Sequence, residues 1–261
     1  MKRNLIFAAL LSIATAASAE SVTFGNATPQ PGITQWDDDA TYAMSVTTNA
    51  GGKSASASRN VTRSKTCRLL QLDPAGRMDA VEVAYDGASN ASVAGKRYRV
   101  TPQSVTYADG SAAPAAEATF VRSDNASFSQ FRALKRIFGG GTFAVGDSFT
   151  PNRNDAEELL NVAAGTRLRS IALTLRSVSD GIATFDISMT LESNPKQKKS
   201  SKAAGGEMTM TLDSTLKMTV ATAWPLQLDV DGPLHGNTKK ANGSHAGDAS
   251  GTASIRIDYG F

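Results

Sequence analysis

Met208–Asp231, MTMTLDSTLKMTVATAWPLQLDVD, alternates apolar and polar residues for most of its length. Met208, Met210 and Leu212 share one phase, which Leu216, Met218 and Val220 continue and Leu226, Leu228 and Val230 resume beyond Trp224-Pro225. A period of two over that length is the mark of antiparallel strands with one buried face, so the stretch reads as strand, turn, strand and a sheet is the framework of the chain.

The same pattern spreads outward in both directions. Leu168 to Val178 and Ile182 to Leu191 alternate on either side of Asp180-Gly181, and Asp-Gly between alternating strands is a strong type I′ hairpin signal. Toward the amino terminus, strands are predicted at Val22 to Phe24, through Tyr42, Met44 and Val46, from Ala57 to Leu72, and from Met78 to Tyr85 after the turn Asp73-Pro74-Ala75-Gly76. A further alternation runs from Lys96 to Tyr107, followed by a small-residue linker, Ser111 to Ala116. His235 to His245 is polar and reads as an exposed stretch, as does the basic run Lys196 to Lys202 between two strands. Asp37-Asp38-Asp39 lacks the Gly and Glu positions of a calcium loop and reads as a solvated turn or helix cap.

One segment carries the helical period. Phe128, Phe131, Leu134, Ile137 and Phe138 fall on one side, Ser129, Arg132, Lys135 and Arg136 on the others, with Ser127 and Gln130 as a capping box and Gly139-Gly140-Gly141 as the stop. So short a helix is marginal alone. Full burial of the five apolar side chains contributes at most about 10 kcal/mol, so the stripe must pack on something. It either plugs one face of the sheet or forms a lid over an apolar ligand cavity, and these five residues are the candidate ligand-binding set. A short helical turn is predicted at Asp155 to Leu160.

The first residues form a tripartite leader: basic Met1 to Asn4, apolar Leu5 to Ala16, then Ala17-Ser18-Ala19. This is the pattern of a secretory signal peptide cleaved after Ala19, and its apolar run is too short for a membrane span. Its removal takes Lys2 and Arg3 with it, lowering the net charge from +3 by two, to +1, which excludes the broad cationic face that nucleic-acid binding needs. Residues 20–261 suffice for one β-rich domain, with halves at about 20–116 and 117–261. The chain has 1 cysteine, Cys67, so no intrachain disulfide forms, and its neighbours place it on a strand in a packed sheet.

No catalytic or metal-binding set emerges, and no cofactor is called for. Two histidines are too few for a metal site. Gly146-Asp147-Ser148 resembles the nucleophile block of the GDS-type esterases, but it follows a helix instead of a first parallel strand, and Asp231 to His235 has the wrong spacing for the partner motif.

The second half, with Val145-Gly146-Asp147-Ser148-Phe149, Thr174 to Val178, Asp180 to Ala183, Gly206 to Leu216 and Trp224-Pro225-Leu226, resembles a family of secreted bacterial proteins of unknown function. Their pattern is V-G-D-x-W, a T-x-x-L-x-x-V-x-x-G-x-A hairpin and a G-T-L strand ending in T-G-x-P. Phe149 stands here in place of the Trp. The resemblance implies a β-rich secreted fold and no catalytic residues. A weak internal echo between Thr66–Asp73 and Thr215–Asp229 adds the expectation of two related halves. The predicted fold is therefore mostly β (α+β), a strongly curved antiparallel sheet or half-barrel with one central amphipathic helix, analogous to the half-barrels of periplasmic lipoprotein carriers.

The predicted function is an exported, non-catalytic binding or envelope-associated protein, periplasmic or secreted, whose partner is an apolar ligand, a lipid or an envelope protein. An outer-membrane β-barrel is the first alternative, because Ala253, Ile255, Ile257, Tyr259 and Phe261 alternate to the end of the chain. Against it stand the central helix, Pro225 and an aromatic content of 7%, too low for two interfacial girdles, so the last strand is expected to close a soluble sheet. A secreted hydrolase is the second alternative.

Overall fold

The computed structural model describes residues 20–50, 52–74, 76, 78–88, 91–125, 130–160, 166–193, 206–239 and 245–261. The leader, Phe128 and the run Lys196 to Lys202 lie outside the described residues.

An 11-stranded antiparallel sheet dominates. Its first arm is a meander of β2 (Gln35–Ala50), β3 (Lys53–Leu72), β4 (Met78–Ala88), β5 (Arg97–Val100) and β6 (Val105–Tyr107). The second arm holds β8 (Ser148–Phe149), β9 (Thr166–Ser179), β10 (Ile182–Ser193), β11 (Gly206–Thr219), β12 (Pro225–Lys239) and β13 (His245–Gly260). Spatial order is β6-β5-β4-β3-β2-β13-β12-β11-β10-β9-β8, so each arm is built of sequence neighbours and the two join where β13 pairs with β2. A small second sheet pairs β1 (Ser21–Thr23) with β7 (Thr142–Ala144).

The organising stretch folds as its alternation predicts: Leu212, Leu216, Met218 and Val230 are buried, with Leu228 partly buried beside them. Pro225 sits at the first position of β12, where a missing N–H is tolerated, and the ladder shifts by one residue there. Gly232-Pro233 interrupts the β11–β12 ladder between Met210↔Leu234 and Asp213↔Asp231. A Cβ at Gly232 would lie 2.4 Å from the Thr211 carbonyl oxygen, so only glycine allows the strands this approach. The Asp180-Gly181 turn has φ of 52° and 73°, the two positive values that a type I′ turn requires.

Several expectations are corrected. The last strand does not close the sheet: β13 lies at its centre, paired on both sides, and the sheet forms no closed barrel. The alternation from Lys96 to Tyr107 is two strands, because the backbone of Thr101 and Ser104 closes a tight turn between them. His235 is exposed as expected but belongs to a strand, β12, opposite Ser250, and β13 begins at His245. Asp37, Asp38 and Asp39 form no turn or cap but lie within β2.

The described residues hold three helices: α1 (Ala115–Asp124), which is unexpected, α2 (Gln130–Phe138), and α3 (Arg153–Leu159), where a short helical turn is predicted. α1 starts in the last two residues of the stretch read as a linker and runs beyond it; its Ala and Glu are good helix formers without a long apolar stripe to announce them. Asn152 caps α3, its side-chain oxygen accepting from the Asn154 N–H.

Two apolar cores result. Under α2 and α3, Phe24, Leu134, Phe138, Leu173, Leu175, Phe185 and Met218 pack together. Under α1, Trp36, Cys67, Leu69, Val81, Val83, Tyr85, Tyr98 and Val121 do the same. The opposite face of the sheet is polar.

Candidate functional site

The helices are fastened to the sheet in two different ways. α1 is tied down by charge at both ends. At its start the Glu117 carboxylate accepts from Lys96 Nζ (2.7 Å), Tyr98 OH (2.7 Å) and Tyr107 OH (3.0 Å), all from β5, β6 and the loop before them. Those donors hold the carboxyl below its usual range, the Lys96 hydrogen bond first, and burial with the Glu117 bond raises the Tyr98 phenol.

At the other end, Asp124 and Asn125 meet a buried ion network on β2 and β3. Lys65 Nζ lies 2.9 Å from Asp124 Oδ2, donates to Asn125 Oδ1 at 2.7 Å and is 3.4 Å from Asp38 Oδ2. Arg63 Nη1 donates to Asp38 Oδ1 at 2.5 Å, and Nη2 donates to Tyr42 OH at 3.0 Å. Arg63 Nε stands 2.6 Å from Asp124 Oδ1 without donating a hydrogen bond, so that contact is purely electrostatic. Tyr85 OH donates to Asp124 Oδ2 at 2.8 Å and accepts from Asn125 Nδ2 at 2.9 Å.

Two cations thus face two carboxylates in a nearly dry setting. Burial alone would raise the Asp124 pKa, but Lys65 and Arg63 outweigh it and hold the carboxyl below its ordinary value. Burial works against the Arg63 charge, but Asp38, Tyr42 and Asp124 together outweigh it, leaving the guanidinium more firmly protonated. With each charge matched, the network can pin a helix but offers no poised acid, base or nucleophile. Cys67, next along this phase of β3, is 1% exposed with its thiol pushed up to about 12 by burial, so it stays an inert thiol.

The polar partners of α2 and α3, by contrast, include each other. Arg132 forms a two-pronged pair with Glu158, Nε to Oε1 and Nη2 to Oε2, both at 2.9 Å. Arg136 Nε donates to Asp155 Oδ1 at 2.6 Å and its Nη2 to Glu158. The pair meets the sheet through Ala133, Leu134, Phe138, Ala156 and Leu159. Phe138 is central to an aromatic cluster, with ring centroids 4.9 Å from Phe185 and 5.7 Å from Phe24.

The structure divides the predicted stripe. Leu134 and Phe138 are fully buried in the core under α2 and α3, and Ile137 packs partly buried against it. Phe131 leaves that core and joins an aromatic group with Trp36 (5.2 Å), Phe261 (5.8 Å) and Trp224 (6.2 Å). Trp224 and Phe261 lie 5.0 Å apart, and Phe261 is 47% exposed, so this group reaches the surface. Between the helix pair and the sheet lies a cavity of ≈ 20 Å³ lined by Leu134, Leu159, Ile187, Leu216, Leu228 and Tyr259. That space holds about one water molecule.

On the polar face, a shallow depression of ≈ 430 Å³ is lined by Asp186, Asp213, Asp229 and Asp231 among Thr and Ser side chains. Arg176 pairs with Asp186 at 2.9 Å, and Asp213 stands directly opposite Asp231 on the neighbouring strand. Among the described residues, no three His, Cys, Asp or Glu side chains are placed to hold a metal. Asp147 and Ser148 are engaged locally, Asp147 Oδ2 by the Ala144 N–H and Ser148 Oγ by Thr174 Oγ1.

The ion network escapes a motif search, yet it leaves a sequence signal. Asp38 shares its strand phase with Trp36 and Ala40, as Lys65 does with Cys67 and Leu69. A charge on an apolar phase marks a buried pair.

No family model matches this sequence, and no curated protein matches it. Among solved structures, the chain is similar to a DUF1329 family protein from Desulfovibrio piger at 14% identity, covering 84% of this chain and 83% of that one, with a TM-score of 0.22. It is also similar to the COG4313 outer membrane channel from Pseudomonas putida F1 at 13% identity, covering 89% and 97%, with a TM-score of 0.17. Scores of that size leave the function to be read from this chain's own residues.

Proposed function

We propose that this protein is an exported, non-catalytic binding module of the cell envelope, and that its ligand is an apolar molecule or lipid held between the sheet and the α2–α3 pair. The observation that carries this reading is the contrast in fastening. α1 is anchored by charged groups at both ends, whereas the arginines of α2 pair with α3, and the two helices present an apolar underside to an apolar sheet face. A unit held in that way can lift without breaking its internal ion pairs. Because the existing cavity is ≈ 20 Å³, ligand enters only as the pair moves, with Leu134, Ile137 and Phe138 exchanging contacts with the sheet for contacts with ligand, and Phe131 at the rim.

The reading includes a curved, half-barrel form of the sheet in two related halves meeting at β2 and β13, a periplasmic or secreted location, and removal of the leader after Ala19. Native mass spectrometry and lipid extraction of protein purified from the periplasm test it. Co-purified lipid or another apolar molecule in stoichiometric amount is the expected result. Ligand-free protein that also fails to take up an apolar fluorescent probe saturably would overturn it.

A further inference from the structure

In the β2–β3 hairpin, each residue of β3 from Lys53 to Asn60 is exposed. Its inner edge pairs with β2 without a register shift, from Ala50↔Lys53 to Gln35↔Arg68. On the outer side, β4 begins to pair only at Arg63, so among the described residues no strand covers the outer edge of Lys53–Val61. Alternate residues of such a strand direct both N–H and C=O to that edge.

Folded proteins blunt such edges with short strands, bulges, prolines or charge. The ends of this sheet follow the rule, since β6 has 3 residues and β8 has 2. The β3 edge carries charge only at Lys53 and Arg59, and between them it is long, unbulged on its paired side, free of proline and built of Ser54-Ala55-Ser56-Ala57-Ser58.

We infer that Lys53–Val61 pairs antiparallel with the same segment of a second copy, around a two-fold axis at Ala57. A second copy fits because the segment is self-complementary around Ala57, the register that pairs the whole of Lys53–Val61. Centred on Ala57, Lys53 faces Val61, Ser54 faces Asn60, Ala55 faces Arg59 and Ser56 faces Ser58, so the cations oppose small or neutral side chains. Centred on Ser56, Lys53 would face Arg59, and centred on Arg59, the guanidinium would face itself; both place like charges directly opposite. A two-fold pairing also closes, covering both free edges at once and leaving none to propagate.

Sedimentation of the exported protein tests the dimer, and two variants test its register. Ala57→Cys sets two thiols directly opposite each other, near disulfide range, while native Cys67 is buried and does not compete. Expected are a dimer of the wild-type protein, an interchain disulfide at Ala57→Cys forming several times faster than at Ser54→Cys, and an association weakened about fivefold or more by Ala57→Lys with an unchanged circular-dichroism spectrum. A wild-type protein that sediments as a monomer throughout would overturn the inference. So would a dimer indifferent to Ala57→Lys that fails to cross-link through Ala57→Cys, since its interface would lie elsewhere.

Discussion

Lys65 and Asp124 are 59 residues apart in sequence and meet at 2.9 Å, joining a strand near the middle of the sheet to the last turn of α1. The contact belongs to a set of four charged side chains, none more than 12% exposed. Breaking such a pair by removing one member is costly, because the survivor stays buried without compensation. Lys65→Ala is therefore expected to destabilise the protein by about 3 to 5 kcal/mol, measured from denaturant midpoints with slopes unchanged.

The same network sets an acid limit. The folded pKa of Asp124 is depressed, so its contribution is fully present above the unfolded carboxyl value of about 3.9 and is lost as pH falls through the lower folded value. Stability is expected to decline below about pH 4 and to do so less steeply in Asp124→Asn, whose starting stability is lower. An equally steep acid decline in the variant would assign the effect to other carboxylates, with Glu117 the next to examine.

Gly181 tests the hairpin between β9 and β10. At φ 73° its backbone is in the region open to glycine and strained for a β-branched residue, so Gly181→Val is expected to cost about 1 to 3 kcal/mol. Thermal or denaturant unfolding reads the loss directly.

Ser214 carries a prediction of the opposite sign. It interrupts the apolar phase of β11 opposite Ile187 and Val230, is 7% exposed, and its hydroxyl has no hydrogen-bond partner. Ser214→Ala removes a buried unsatisfied group at little loss of volume and is expected to raise stability by about 1 kcal/mol. A destabilised variant would mean that the hydroxyl is engaged in solution.

Phe131 and Phe138 separate a fixed plug from a mobile one. Phe138→Ala empties a fully buried site and is expected to cost about 3 to 5 kcal/mol. Phe131→Ala, at the partly exposed aromatic rim, is expected to cost less and to change the affinity for an apolar fluorescent probe. A large stability loss at Phe131, with no saturable probe uptake by the wild type, would dispose of the ligand-binding role.

The sequence alone determined what local periodicity can encode. Strict alternation placed β9, β10, β11 and the start of β12, Asp180-Gly181 specified its turn, and the Phe-rich stripe specified α2, because each signal is carried by residues adjacent along the chain. Tertiary structure decided what depends on distant partners. Asp37-Asp38-Asp39 reads as solvent-exposed in isolation and becomes strand because Arg63 and Lys65 satisfy Asp38 from the next strand. α1 has a weak stripe of its own and is held by Tyr98, Tyr107, Lys96 and Lys65, contacts that reach from 10 to 59 residues along the chain and follow no local period. The terminal alternation of β13 suits a central strand, a closing strand and a barrel strand equally, since burial of one face fixes phase but not neighbours. Pairing with β2 places it at the centre of the sheet, a choice made by long-range backbone hydrogen bonds and by the packing of two cores.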